Sequence, residues 1–269
     1  MTGLAFLYST PKESSPMRIS SKVCVLLVSV GAFLASTHQS AAEESLKILL
    51  VTGGCCHDYE FQSAQLEKAF EAADVDAEWT VVNKGGKGTK AQIELYQDPN
   101  WADGFDVVIH NECFAETSDA AYISKITDTH RKGMPAVVIH CAMHTYRAAE
   151  TDQWRELLGV TSRRHDHQSN YEVKVTAPDH PIMKGFPADW KTPVDELYII
   201  EKEWPNTVGL ATADRESDGK SQVCFWVNQF GDSRVFGTTF GHSNETFEDP
   251  VFVGAVVRGT LWAADKLDQ

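Results

Sequence analysis

Ala136-Val137-Val138-Ile139 is an unbroken apolar run that ends at once in His140-Cys141-Ala142-Met143-His144. A short run without polar alternation is the pattern of a strand buried on both faces, and such strands belong to parallel sheets covered by helices on either side. Leu46–Thr52 and Phe105–Asn111 repeat it, and Ala77–Val82 reads as a further strand. Helical spacing separates these runs. Phe61, Ala64, Leu66, Ala69, Phe70 and Ala73 follow one helix face, and Asp119–Arg131 reads as a second helix, ended by Gly133 and Pro135. Strands alternating with helices specify an α/β fold with right-handed crossovers. In such a sheet, ligands bind in the crevice beyond the carboxyl ends of the strands.

Ala148–Leu158 reads as another helix, after which the chain becomes richer in β structure. Tyr171–Thr176, Gly209–Ala213, Gln222–Asn228 and Arg234–Thr239 read as strands, the last two joined by a turn at Gln229–Ser233, and Asp249–Ala264 as a closing helix. Arg163-Arg164-His165-Asp166-His167 reads as a solvated loop from which His165 and His167 can still reach a site. Trp154, Trp190, Trp204, Trp226 and Trp262 read as core. Neither repeat nor linker divides residues 43–269, which are taken as a single domain.

Residues 1–42 read as a signal peptide, with Met17-Arg18-Ile19-Ser20-Ser21-Lys22 as the basic region, Val23–Ala35 as the apolar region and Ser40-Ala41-Ala42 before the cut. Translation starting at Met17 would give a signal peptide of ordinary length. The apolar run is shorter than the roughly 20 residues a membrane span needs. The expectation is therefore a periplasmic or secreted protein with no membrane insertion once the signal is removed. The formal charge of −14 becomes −16 when Lys12, Arg18, Lys22 and Glu13 leave with that segment. A surface of that sign repels nucleic acid and suits a neutral or cationic small molecule. It leaves homo-oligomer formation open. Cys55, Cys56, Cys113, Cys141 and Cys224 remain, an odd number without the spacing of a disulfide scaffold. A bond between the adjacent Cys55 and Cys56 is rare because it is strained. The expectation is mostly free or buried thiols with at most one bridge.

Chemistry-bearing residues follow four of the strands. They are Cys55, Cys56, His57 and Asp58 after the first, His110, Asn111 and Glu112 at the third, His140, Cys141 and His144 after the fourth, and Gly241-His242-Ser243-Asn244 after the last. Asp195-Glu196-Leu197-Tyr198 adds an acid pair. Two enzymatic readings fit. In the first, His57, His140, His144 and His242 hold a divalent metal, zinc being favoured, with His140 and Glu196 catalytic and Asp58, Glu112, Tyr198 and Asn244 binding substrate. In the second, Cys141 is a nucleophile activated by a neighbouring histidine. The metal reading ranks first, because the thiol reading requires a sharp strand-to-helix elbow and no glycine flanks Cys141. A binding module whose histidines supply only hydrogen bonds is the non-enzymatic alternative. Gly85-Gly86-Lys87-Gly88 lacks the spacing of a phosphate-binding loop.

Gly53-Gly54-Cys55-Cys56-His57-Asp58, the His140 strand end, Asp179-His180-Pro181-Ile182, Asp195-Glu196-Leu197-Tyr198 and Thr239-Phe240-Gly241-His242, in that order, resemble the ThuA-like family, named for trehalose utilisation. The resemblance spans about residues 46–265. It implies a flavodoxin-like, class I glutamine amidotransferase-like fold: a mostly parallel sheet flanked by helices, with an additional β-rich section in the second half. It also implies carbohydrate metabolism, with keto-sugars or glycosides as small-molecule substrates and proton abstraction, isomerisation or glycoside cleavage as the reaction. The chain departs from the amidotransferase pattern, because Cys141 lies between His140 and Ala142 and no His-x-Glu follows near the C-terminus. Glutaminase chemistry is not carried over.

Overall fold

Leu46, Ile48 and Leu50 of the first strand, β1 (Leu46–Gly54), pack into one apolar cluster, while Leu49 and Val51 pack into another on the opposite face of the sheet. β3 (Val107–Cys113) and β4 (Ala136–Ile139) divide in the same way, which is why these runs show no polar alternation. The computed structural model describes residues 44–267, so the signal peptide read over residues 1–42 lies outside the described part.

β2 (Ala77–Asn83), β1, β3, β4 and β10 (Ser233–Thr238) lie side by side and parallel. β9 (Ser221–Phe230), β8 (Val208–Asp214) and β6 (Val173–Val175) continue the sheet antiparallel, giving the order β2-β1-β3-β4-β10-β9-β8-β6. α1 (Tyr59–Ala72) and α5 (Pro250–Ala263) cover one face through Leu66, Phe70, Val256 and Val257. α2 (Ala120–Arg131) and α3 (Gln153–Leu158) cover the other through Ile123, Ile126 and Leu157. Each such side chain contributes about 1.5–3 kcal/mol when fully buried. Asp58, Asp119 and Asp249 cap the starts of α1, α2 and α5 by accepting from backbone N–H groups. This is the mostly parallel, helix-flanked sheet with a β-rich second half expected from the sequence. Among the described residues, no helix is long and apolar enough to cross a membrane.

Two expectations are corrected. First, the segment read as a solvated loop at Arg163–His167 lies within β5 (Val160–Ser169), which pairs antiparallel with β7 (Asp195–Glu203) as a separate ribbon. Register shifts at Ser162, His165 and Gln168 break the period-2 pattern that would have marked β5 as a strand. Second, two disulfides form, Cys55–Cys56 and Cys113–Cys141, while Cys224 stays a buried thiol. Gly53 and Gly54 close β1 with φ of +125° and +96°, and Cys56, just beyond the strand, has φ +85°, in the left-handed region. The adjacency of β3 and β4 brings Cys113 and Cys141 to a Cα separation of 5.3 Å, within the usual range for a bridge.

Candidate functional site

Beyond the carboxyl ends of β1, β3, β4 and β10, the β5–β7 ribbon closes over the sheet edge and leaves a cavity of about 330 Å³. His57 enters from the turn after β1, His140 from the end of β4 and His242 from the segment after β10. His165 comes from β5, and Glu196 and Tyr198 from β7, where His165 pairs with Tyr198 and Gln168 with Glu196.

His57, His140 and His242 each offer a ring nitrogen, and these atoms all lie within 4.8 Å of one another. The rings meet edge to face, with centroids 5.0 Å apart for His57–His140 and His57–His242 and 5.5 Å apart for His140–His242. His140 Nδ1–H donates to the Thr239 carbonyl at 2.6 Å, and His57 Nδ1–H donates to the His242 carbonyl at 3.1 Å. Both imidazoles are thereby fixed with Nε2 unprotonated, the arrangement by which backbone carbonyls orient metal-binding histidines. Burial pushes the His57 pKa down to about 4, helped by the charge of His242 and opposed by its bond to the His242 carbonyl and by Glu196. Burial, followed by the charge of His57, also holds His140 well below its ordinary value. Both rings are therefore neutral at pH 7. His242 differs, since the Glu196 carboxylate raises its pKa.

Glu196 Oε2 lies 3.4 Å from His242 Nδ1, 3.6 Å from His165 Nε2 and 3.7 Å from His140 Nε2. Its other oxygen accepts from the Gln168 amide at 3.2 Å, and that amide also donates to His242 Nε2 at 2.9 Å. Partial burial pushes the Glu196 pKa up, but His242, Gln168 and His165 together hold it below the usual value. Tyr198 places its hydroxyl 3.4 Å from His140 Nε2 and stacks on His144 at 4.0 Å between centroids.

His140 has φ +45°, a left-handed conformation that costs a non-glycine residue about 1–2 kcal/mol. Thus an elbow does form at the end of β4 without flanking glycines, and it is His140 that occupies the strained position. Gly241 makes room for it, because a Cβ there would meet His140 Cβ at 3.2 Å and Ile139 Cγ2 at 2.9 Å.

Asp195 enters the sequence reading only as one half of an acid pair without a role of its own, yet it organises the site. It is fully buried, and its carboxylate accepts from the backbone N–H of Gly241 (3.1 Å), of His242 (3.1 Å) and of Glu196 (2.7 Å), and from the Thr246 hydroxyl. These bonds hold the His242 segment against β7. The one signal in the sequence was an acid beside another acid. Gln168 carries no signal until β5 is known to be a strand.

The remaining candidates lie further out. His144 borders the cavity, but its Nε2 faces Ser162 Oγ at 3.3 Å and it is not one of the three clustered imidazoles. Burial, then Arg147 and His165, lower its pKa to about 3. Glu112 does not reach the cavity. It is wholly buried, 3.0 Å from His110 Nδ1 and 3.4 Å from the Tyr96 hydroxyl. Asp58 caps α1 and Asn244 opens α4 (Asn244–Glu248); each borders a neighbouring surface depression. Cys141 borders the cavity with its sulfur bonded to Cys113, so it offers no free thiol in this state.

The donor set suits a divalent ion. Two imidazoles are neutral and oriented by carbonyls, the third has a buried Nδ1 without a hydrogen-bond partner, and the Glu196 carboxylate stands within 4 Å of His140 and His242. Imidazole with carboxylate is a zinc-type donor set, in which three protein ligands leave a position open.

A family model described as ThuA, trehalose utilisation, matches residues 47–263. A ThuA-like protein structure from Parabacteroides merdae is similar at 20% identity and TM-score 0.68, over 84% of this chain and 92% of that one. A second, from Bacteroides uniformis, is similar at 14% identity and TM-score 0.60, over 86% and 97%. A β-galactosidase from Bacillus circulans is similar in fold over 79% of this chain and 30% of its own, at 10% identity and TM-score 0.51. No curated protein sequence matches the chain.

Proposed function

The chain belongs to the ThuA family, trehalose utilisation, and from that premise we propose that its three-histidine cavity is a divalent-metal site, zinc being favoured, of an enzyme acting on keto-sugars or glycosides. The observation that carries this reading is the convergence of His57, His140 and His242 beside Glu196, with two of the rings oriented by backbone carbonyls. A bound divalent ion supplies Lewis-acid polarisation of a sugar carbonyl or hydroxyl.

The chain's own groups supply the rest. Glu196 is held ionised at neutral pH by His242, Gln168 and His165, so it enters the reaction as a proton acceptor. An acceptor in that position suits abstraction of a proton next to a carbonyl, the step common to isomerisation and to glycoside elimination. The Tyr198 hydroxyl beside His140 keeps its proton, because burial and then the Glu196 and Asp195 charges push its pKa well up; it is therefore a hydrogen-bond donor for a sugar oxygen. A cavity of about 330 Å³ is of the size that holds a monosaccharide or one end of a disaccharide.

The test is a panel of 3-keto glycosides and their parent glycosides, incubated with metal-loaded protein with and without chelator. Turnover that is lost on chelation and restored by metal is the expected result. Turnover insensitive to chelation would remove the metal from the reading, and binding without turnover would convert the protein to a carbohydrate-binding module.

A further inference from the structure

The vicinal disulfide stands against the second one. Cys55 Sγ lies 3.7 Å from Cys113 Sγ, which is contact distance for two sulfur atoms. The contact is built into the fold. β1 and β3 pair Gly54 with Cys113, the Cys55 N–H donates to the Cys113 carbonyl at 3.4 Å, and a Cβ on Gly54 would collide with that carbonyl oxygen at 2.2 Å. Tyr59, Cys113 and Cys141 form a small buried cluster with Cys55 packed against it, and the Tyr59 hydroxyl donates to the Cys55 carbonyl at 2.9 Å. Accessibility falls along the series. Cys56 is exposed, Cys55 is partly buried, and Cys113 and Cys141 are 2% and 6% exposed. All four cysteines border the imidazole cavity, and they run from the exposed Cys56 to the buried Cys141 beside His140.

We propose that these four residues are a thiol–disulfide exchange centre whose substrate is a protein or peptide dithiol, received at Cys56 and relayed through Cys55 and Cys113 to Cys141. The first thiolate of the dithiol attacks Cys56 Sγ. A mixed disulfide forms, the Cys55–Cys56 bond breaks, and Cys55 leaves as thiolate. Cys55 attacks the adjacent Cys113 Sγ, so a Cys55–Cys113 bond forms, Cys113–Cys141 breaks and Cys141 leaves as thiolate. The second thiolate of the substrate attacks its own sulfur in the mixed disulfide, which closes the substrate disulfide and releases Cys56. The dithiol loses two electrons and two protons. The chain gains them as the thiols of Cys56 and Cys141 and keeps one disulfide, Cys55–Cys113. Exchange of this kind proceeds through mixed disulfides and is limited by access to the attacked sulfur, which here admits a large partner only at Cys56. The outcome for the cavity is a wall with one disulfide, Cys55–Cys113, and two thiols, Cys56 and Cys141, where two disulfides stood. The relay needs no metal and is independent of the proposed sugar chemistry.

The decisive variant is Cys56→Ser in the full oxidised chain. It leaves Cys55 as a thiol in contact with Cys113. The chain is quenched in acid, unfolded, alkylated and peptide-mapped without reduction, with the buried Cys224 thiol as internal reference. The relay predicts one further label shared between Cys55 and Cys141, together with a Cys55–Cys113 cross-linked peptide. In Cys55→Ser/Cys56→Ser, Cys141 should carry no label. Label on Cys55 alone, with Cys113–Cys141 intact, overturns the proposal. If the single variant fails to fold, one equivalent of reduced thioredoxin is added to the unaltered chain and quenched in the same way. The first product must then contain Cys55–Cys113 and a free Cys141. Reduction that stops at Cys55–Cys56, or that opens Cys113–Cys141 without the cross-link, also overturns it.

Discussion

Asp195→Asn isolates the contact that holds His242 in place. The carboxylate takes three backbone N–H groups and the Thr246 hydroxyl, with no solvent exposure. An amide keeps one of the two acceptor atoms, so the Thr246 hydroxyl can turn to accept, while the N–H groups of Gly241 and His242, which each reach both carboxylate oxygens, keep one acceptor and meet an amide NH2 in place of the other. Hydrogen bonds to a charged group are worth about 1.5–3 kcal/mol each, so losing the charge and half of these acceptors should destabilise the chain by about 2 kcal/mol at pH 7. The pH dependence carries a second number. Burial pushes the Asp195 pKa up to about 6 against the pull of its hydrogen bonds. Its folded pKa is thus above the unfolded one, so its contribution is fully present below the unfolded pKa and is lost as pH rises through about 6. Between pH 6 and 4.5 the native chain gains about 2 kcal/mol that asparagine, which does not titrate, cannot gain. Urea unfolding of both chains at pH 7 and pH 4.5 reads the two differences directly. The gap should widen from about 2 to about 4 kcal/mol on acidification. A variant as stable as the native chain at pH 7, or a gap that does not change with pH, would refute the assignment of Asp195 as a buried, raised-pKa anchor.

Glu196→Gln removes the charge that raises His242, so the His242 imidazole should titrate lower by NMR, and metal affinity should fall by about 10–100-fold as for a lost supporting carboxylate. An unchanged His242 titration would separate the two residues. Burial holds His57 and His130 neutral, with pKa values of about 4 and about 3, below that of an unfolded histidine; the unfolded chain therefore takes up protons first and stability falls as pH drops below about 6.5. The two together outweigh the opposite contribution of Asp195, so the melting temperature should fall between pH 7 and pH 4.5, and a flat profile would contradict the neutral assignment. Cleavage after Ala42 predicts Glu43 as the first residue of exported protein, read by mass spectrometry of the intact chain. Exported protein that retains residues 17–42 would contradict it.

The parallel half of the sheet was legible because burial on both faces leaves its strands as plain apolar runs. Val107–Ile109 and Ala136–Ile139 admit no other reading once helical spacing flanks them. The ribbon was not legible. β5 carries Arg163, Arg164, His165 and His167 and is bulged at three places, so neither apolar content nor alternation marks it; Arg163, Arg164 and His167 face solvent and only His165 of these four lines the cavity. His57, His140 and His242 stood out because each follows a legible strand. Gln168 and Asp195 act through the ribbon and through backbone N–H groups, which no local pattern records. The ordinary cost of joining neighbours argues against the Cys55–Cys56 bond, yet it forms where Cys56 takes a left-handed backbone just beyond β1. Glu112 illustrates the reverse error. It follows a buried strand, but β3 continues to Cys113, so its side chain points into the interior, not the cavity.

Metal titration of the chain from Glu43 onward, followed by calorimetry and by elemental analysis after dialysis, tests the central claim most directly. One zinc per chain is expected, with binding reduced at least 100-fold by each of His57→Ala, His140→Ala and His242→Ala while His144→Ala retains full stoichiometry. Absence of tight binding in the native chain, or equal binding in all four variants, would contradict the three-histidine metal centre.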